Sequence, residues 1–432
     1  MSIVDILIQF LSTPALLIGL IALVGLVAQG KEVGAVVAGA VKTTLGFMII
    51  GAGAGVVVGA ITPLGTLTET GFGLQGALPV NEVFTALAQE RFGQEISIVF
   101  ALGFLISILI ARFTPLKFVF LSGHHILFTA VLTVGLLSMS AVGSSKGLLI
   151  AVCSVLTGIF LLIDPWLSQP FMENLIGSKD FVMGHFGGPS YYVAGFFSLF
   201  VGKKEESTEN IEMPEWIGFM KEPLVAMGVV MYIVYLIASI AANGKAGTEA
   251  TNAIFGTGNH WIVASLVSAL TFAAGIGVIL LGVRMILADI VPAFRGFAEK
   301  IVPGAQPALD CPVVFPYAPQ AVLIGYLSSI VGGVVIMLLQ IAANGAMGAV
   351  IIPSMIIHFF LGATCAVIAN ANGGWKAAVL GGFMNGVVFT LLAGPAYVAL
   401  GKLGFSNSTF GDTGFGIMAN FIAFFIKLFP LQ

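Results

Sequence analysis

PGAQPALDCPVVFPYAPQ, Pro303 to Gln320, sits in a chain otherwise suited to lipid, and its five prolines and one aspartate exclude an ordinary membrane-spanning helix. Proline removes a backbone donor and clashes with the preceding turn, and a carboxylate in hydrocarbon is costly unless it faces water, a partner or a substrate. A displacement of 231 positions lays Gly73–Gln89, GLQGALPVNEVFTALAQ, over Gly304–Gln320. Gly73 then meets Gly304, Gln75 meets Gln306, Val83 and Phe84 meet Val314 and Phe315, and Gln89 meets Gln320. Upstream, Gly46, Gly51 and Gly65 fall on Gly277, Gly282 and Gly296. Six of the ten identities in 44 ungapped positions are Gly or Gln, whereas chance agreement between apolar segments would be mostly Leu, Val and Ala. Paired segments interrupted by Gly or Pro in two halves of a membrane chain point to a transporter's substrate site.

Hydrophobic residues make up 58% of the 432 and charged residues 9%, against about a quarter charged in a soluble domain. The reading is an all-α polytopic membrane protein. A crossing takes about 20 apolar residues, and by that measure about eleven spans are expected: 8–29, 40–61, 96–112, 117–142, 147–169, 223–242, 260–290, 321–342, 348–371, 376–399 and 412–430. Two stretches, 62–95 and 291–320, are expected to be re-entrant hairpins, which are tolerated where protein or a wet cavity covers the backbone. Segment 170–200, containing MGHFGGPSYY, is expected to be partly re-entrant or interfacial. The chain divides into a first transmembrane half, 1–201, a cytoplasmic linker, 202–222 (GKKEESTENIEMPEWIGFMKE), and a second transmembrane half, 223–432.

With the N-terminus outside, twelve basic residues fall at the cytoplasmic side and four outside, a positive-inside pattern. The two related segments then cross in opposite senses, giving an inverted repeat around a central site. The opening MSIVDILIQF has Asp5 and no basic n-region, so no cleavable signal peptide is expected. Cys153, Cys311 and Cys365 lie apart without metal spacing, so neither a disulfide framework nor a metal site is expected, and no cofactor motif occurs. A net charge of −3 with no long basic run excludes nucleic acid as a partner.

Few polar groups remain inside the membrane zone. Asp310 and Glu82 occupy the two hairpins; each is a site candidate, and each also fits the start of a short helix, as a cap or a first-turn acid. His124 and His125 interrupt an apolar run. Adjacent helical residues point about 100° apart, so the two cannot face one cavity alike, and His124, after Gly123, is the favoured site residue. His185, in Gly-His-Phe-Gly-Gly, is a candidate by the same reasoning, while His260 and His358 read as structural. Imidazoles, carboxylates and the amides of Asn81, Gln75 and Gln306 form a set suited to binding hydroxyls. HExxH, GxSxG and P-loop motifs are absent from the sequence, which disfavours an intramembrane hydrolase.

VKTTLGFM (41–48), LSGHH (121–125), GKKEES (202–207), GVRMILAD (282–289), VPGAQPALDC (302–311), APQAV (318–322) and ANGGWKAA (371–378) resemble, in order, the ascorbate-type membrane (EIIC) subunits of the phosphoenolpyruvate-dependent phosphotransferase system. The resemblance implies a homodimer in a bacterial cell membrane that takes up ascorbate or a related sugar or polyol. It also implies cytoplasmic EIIA and EIIB partners, EIIB phosphorylating the substrate from a phosphocysteine. His124, His185 and Asp310 match the family's ligand positions, and Asp310 is the candidate base for the attacking hydroxyl. Where the family has glutamines this chain has Phe128 and Phe186, and Asn81-Glu82 replaces a Thr-Tyr pair, so the substrate-binding set becomes Asn81, Glu82, His124, His125, Phe128, His185, Phe186 and Asp310. The alternative is a proton- or sodium-coupled secondary transporter of a small polar solute.

Overall fold

Apolar runs with few breakers fold as long helices, and several helices here outrun the runs that predict them, whereas the run 117–142 holds a short strand and only the 15-residue helix Gly123–Leu137. The computed structural model describes residues 14–73, 76–211, 218–219, 222–343, 346–347, 349–401 and 408–428. In chain order the principal elements are α1 (Pro14–Ala28), α2 (Val33–Phe72), β1 (Gly76–Pro79), α3 (Asn81–Phe113), β2 (Phe118–Phe120), α4 (Gly123–Leu137), α5 (Lys146–Ile176), β3 (Val182–Met183) and α6 (Gly188–Ser198). They continue as α7 (Pro223–Ala246), α8 (Thr248–Phe255), α9 (Trp261–Ile301), β4 (Gln306–Leu309), α10 (Pro319–Ala342), β5 (Val350–Ile351), α11 (Met355–Gly401), β6 (Ser408–Thr409) and α12 (Thr413–Leu428).

Among the described residues seven helices are long and apolar enough to cross a membrane. The expected spans 348–371 and 376–399 fall on either side of a kink within α11, at Gly374 (φ 65°, ψ −156°); the first begins only at Met355, after strand β5, and contains a π turn at His358–Gly362. The run 40–61 continues to Phe72 through Pro63, and the run 260–290 continues to Ile301. The side chains of 291–300 lie outside the described residues, as does Gln75. Exposed Ile233, Ile237 and Ile240 on one side of α7 form the apolar surface that a lipid-facing helix presents. On the inner side small residues set the spacing: a Cβ at Gly386 of α11 would lie 2.0 Å from the Ser329 carbonyl of α10, so the two helices pack backbone to backbone.

The strands are an addition to the all-α expectation. Both segments expected as hairpins turn on a glycine at φ 71°, Gly73 and Gly304, where a side chain would be strained. Each then runs into a short strand at the centre of a three-stranded parallel sheet, ordered β5-β1-β6 and β2-β4-β3. Gly76 pairs with Val350 and Leu78 with Ser408; Phe118 pairs with Gln306 and Val182 with Ala308. The central strand of each sheet therefore takes both neighbours from the other end of the chain.

The first residues of segment 202–222 are held against the helices. The Trp375 N–H donates to the Glu206 carbonyl at 2.8 Å and the Thr208 N–H to Asn370 Oδ1 at 2.9 Å, pinning its first residues to the Gly374 break. Glu209 Oε1 accepts from the Gln320 N–H at the start of α10. Residues 212–217 and 220–221 lie outside the described residues.

Candidate functional site

Parallel strands end on the same side, so whatever follows them is gathered at one place. After β2 come Gly123, His124 and His125, opening α4; after β3 come Gly184 and His185; immediately after β4 comes Asp310. From the other sheet, β1 delivers Asn81 and Glu82 at the start of α3, β5 delivers Ile356 and Ile357, and β6 delivers Asp412 before α12. The two sets face each other across a cavity of about 760 Å³, lined by Asn81, Glu82, His124, His125, Phe128, His185, Asp310 and Asp412 with Pro312, Pro316, Pro319 and Arg284.

The histidine side is tightly connected. His185 Nδ1 lies 2.7 Å from Asp310 Oδ1 and 2.8 Å from His125 Nε2, and His124 Nε2 lies 3.7 Å from Asp310 Oδ2. Asp310 is fixed by accepting the Cys311 N–H at 2.8 Å, so it is at once a helix cap and a site group, joining two roles the sequence presented as alternatives. The approach that permits this needs Gly184, where a Cβ would fall 2.4 Å from the Ala308 carbonyl carbon. Both His124 and His125 reach the cavity, although His124 alone was favoured, because the cavity wraps the first turn of α4 rather than one face of it.

Facing this group, Asn81 Nδ2 donates to Asp412 Oδ2 at 2.6 Å while Asn81 Oδ1 accepts the Gly411 N–H at 2.7 Å. Asp412 is buried and is the sole non-glycine residue with positive φ (55°) among the described residues. Its Oδ1 lies 3.4 Å from His185 Nε2, so His185 bridges the two carboxylates from opposite ring edges. Phe186 does not line the cavity; it lies buried beneath His125, nearly parallel to it (10°), and stacks on Phe415 at 4.5 Å. Phe128 does line it. Gln306 is turned away, donating to the Lys179 carbonyl. His358 bonds Ser329 at 2.7 Å in the core, and His260 stands exposed before α9, in keeping with structural roles.

Sequence reasoning missed Asp412, Asp164 and the part of Arg284 in the lining. Asp164, inside α5, accepts the Gly188 N–H at 3.0 Å and caps α6 beside the site. An acid within an apolar run is itself the signal, and Asp164, which follows Phe160 to Ile163, carried it. One donor atom from each of His124, His125, His185 and Asp310 lies within 4.8 Å of the others, a set that could hold a metal ion.

Long apolar helices enclosing a polar cavity at the ends of two interrupted segments define a polytopic membrane protein of the solute-transporter class. The profile of EIIC-GAT, the sugar-specific permease component of the PTS system, matches residues 9–414, and the chain belongs to that family, whose members are integral to the plasma membrane. It is 28% identical over 423 residues to the ascorbate-specific PTS system EIIC component of Mycoplasma pneumoniae, a match covering 86% of this chain and 63% of that protein. The chain thus spans less than two thirds of that relative's length.

Proposed function

We propose that the chain binds L-ascorbate or a related sugar or polyol in the cavity between the two sheets and carries it across the membrane for phosphorylation by an EIIB partner. The observation that carries this reading is the convergence of three histidines, an asparagine and three carboxylates on one cavity at the strand ends. Such a set offers both donors and acceptors to hydroxyls. Glu82, Asp310 and Asp412 against the one Arg284 favour a neutral polyhydroxyl solute over an anion.

In this reading 1–201 and 223–432 are inverted halves of a homodimer's protomer, and the two turn-and-strand segments are re-entrant. The exchange of strands between distant parts of the chain supports that arrangement. Rocking of one part against another exposes the solute to phospho-EIIB, docked near 202–222 with EIIA upstream. The transfer relies on positioning, and Asp310 holds the attacking hydroxyl.

A thermal-shift screen of purified protein against ascorbate, galactitol and pentitols tests the substrate class, because a ligand of the folded state alone raises its melting temperature. Uptake into vesicles supplied with the phosphoryl carriers tests the coupling. Phosphorylated product that persists with an uncoupler is expected; unmodified solute whose entry stops with the uncoupler would instead mark an ion-coupled transporter.

A further inference from the structure

The cavity has two unlike parts. At the strand ends Asn81, Glu82 and Asp412 are buried. The opposite part is built by α7 and α9, where the lining residues Leu224, Val225, Leu281 and Arg284 are exposed. Arg284 stands two residues beyond Gly282, the last residue of the apolar span in α9, so its guanidinium lies where that helix leaves the hydrocarbon. A Cβ on Gly277 would lie 3.1 Å from Leu224, which sets this part of α9 against the first turn of α7. Segment 202–222 meets the cavity here. Its last residue, Glu222, is in the lining, and Glu209 Oε1 accepts the N–H of Gln320, the neighbour of the lining residue Pro319. The exposed part is therefore the mouth of the cavity, on the side of the linker, which the proposed function places in the cytoplasm.

We propose that Arg284 is a phosphoryl-binding residue at this mouth, taking the phosphate monoester that forms when the solute is phosphorylated. What Arg284 receives rests on the proposed phosphorylation. Among the described residues Arg284 is the one lysine or arginine in the lining, and it pairs with none of them, Glu222 included.

The charge change of the reaction fits this layout. A neutral polyol meets Glu82, Asp310 and Asp412 without repulsion. Its phosphate ester carries a charge of about −1.5 to −2 at neutral pH and is repelled by those same carboxylates. At the mouth a guanidinium presents paired N–H donors whose spacing fits two phosphate oxygens. Beside it, Glu222 makes no side-chain cap to the first turn of α7, and uncapped helix amides favour an anion as well. Phosphorylation thus turns a solute held at the strand ends into one drawn to the linker side, which gives release its direction.

The test titrates the purified full chain in detergent with glycerol 3-phosphate, read by broadening of its phosphorus NMR line, with glycerol as an uncharged competitor. Expected is saturable binding that equal glycerol does not displace. Arg284→Gln should weaken it at least about tenfold, and Arg284→Lys, which keeps the charge and loses the fork, about threefold. Lys245→Gln, at the other end of α7, should leave it unchanged. In the wild-type chain, glycerol 3-phosphate at about ten times its Kd should slow modification of Arg284 by phenylglyoxal about tenfold and leave that of Arg91 unchanged. Absence of saturable binding, equal affinity in Arg284→Gln, or an unprotected Arg284 would overturn the inference, and the protection measurement decides even if a variant fails to fold. The solute found by the thermal-shift screen should bind Arg284→Gln within about twofold of wild type; an equal weakening of both ligands would make Arg284 a solute contact instead and overturn the assignment. If the screen finds no solute while glycerol 3-phosphate still protects Arg284, the substrate reading fails and the anion site at the mouth stands.

Discussion

The two sheets share a backbone plan and differ in what they hold. Each has a central strand that follows a left-handed glycine and releases the chain into the cavity. Around β1 the released groups lock onto each other: Asn81 grips Asp412 and the Gly411 amide, all buried. Around β4 they stay available: the Asp310 side chain is 35% exposed and three imidazoles surround it. One side is a clasp and the other a reactive face. The same backbone device therefore separates holding from binding, and His185, in contact with both aspartates, is where the two meet.

Breaking the clasp should cost the most stability. Asn81→Leu removes the hydrogen-bond partner of the buried Asp412 Oδ2 and of the Gly411 N–H, and unfolding in detergent should show a loss of about 3 kcal/mol. His185→Ala should act on the other axis: solute affinity, read by thermal shift or calorimetry, should fall about a hundredfold, as expected when hydrogen bonds to charged groups worth about 2–3 kcal/mol are lost. A variant pair in which His185→Ala destabilised the fold more than Asn81→Leu would invert the comparison.

Gly73→Ala and Gly304→Ala sharpen it. A Cβ at either glycine meets nothing within 4 Å, so the cost is that of the backbone alone, about 1 kcal/mol at each. Equal melting shifts are expected, and clearly unequal ones would mean the turns are not equivalent. The smallest effect is that of Phe128→Gln, which brings an amide to the cavity wall and should raise affinity for a hydroxylated ligand about fivefold, or about 1 kcal/mol. Weaker binding would show that the phenyl ring itself packs on the solute.

The turns were legible because Gly and Pro act locally: Gly73 and Gly304 meet at the 231-residue displacement, and both adopt positive φ. Asp310, His124 and His185 were legible because polar groups in an apolar chain need a reason. The strands were not. GALP and QPAL are four residues each and owe their form to partners far along the chain, which no local pattern records. Helix ends were misjudged because polarity was taken to end them; α2 passes Thr62, Pro63 and Thr66 and stops only at Gly73. Asp412 was overlooked because Gly-Asp-Thr-Gly reads as the ragged start of an apolar span, and its partner Asn81 lies 331 residues earlier.

That separation bears on how the molecule is made. Strand β1 leaves the ribosome long before its neighbours exist; Ser408, which bonds the Leu78 carbonyl, follows 330 residues later. Until then the amides of β1 need water or a chaperone for company, since lipid offers none. A chain truncated before Ser408 lacks one edge of that sheet and Asp412 together, so the pocket closes only after Asp412 has been made. Such delayed, long-range pairing is slow to form, and it makes the emergence of Ser408 to Asp412 the step at which a binding-competent cavity first exists.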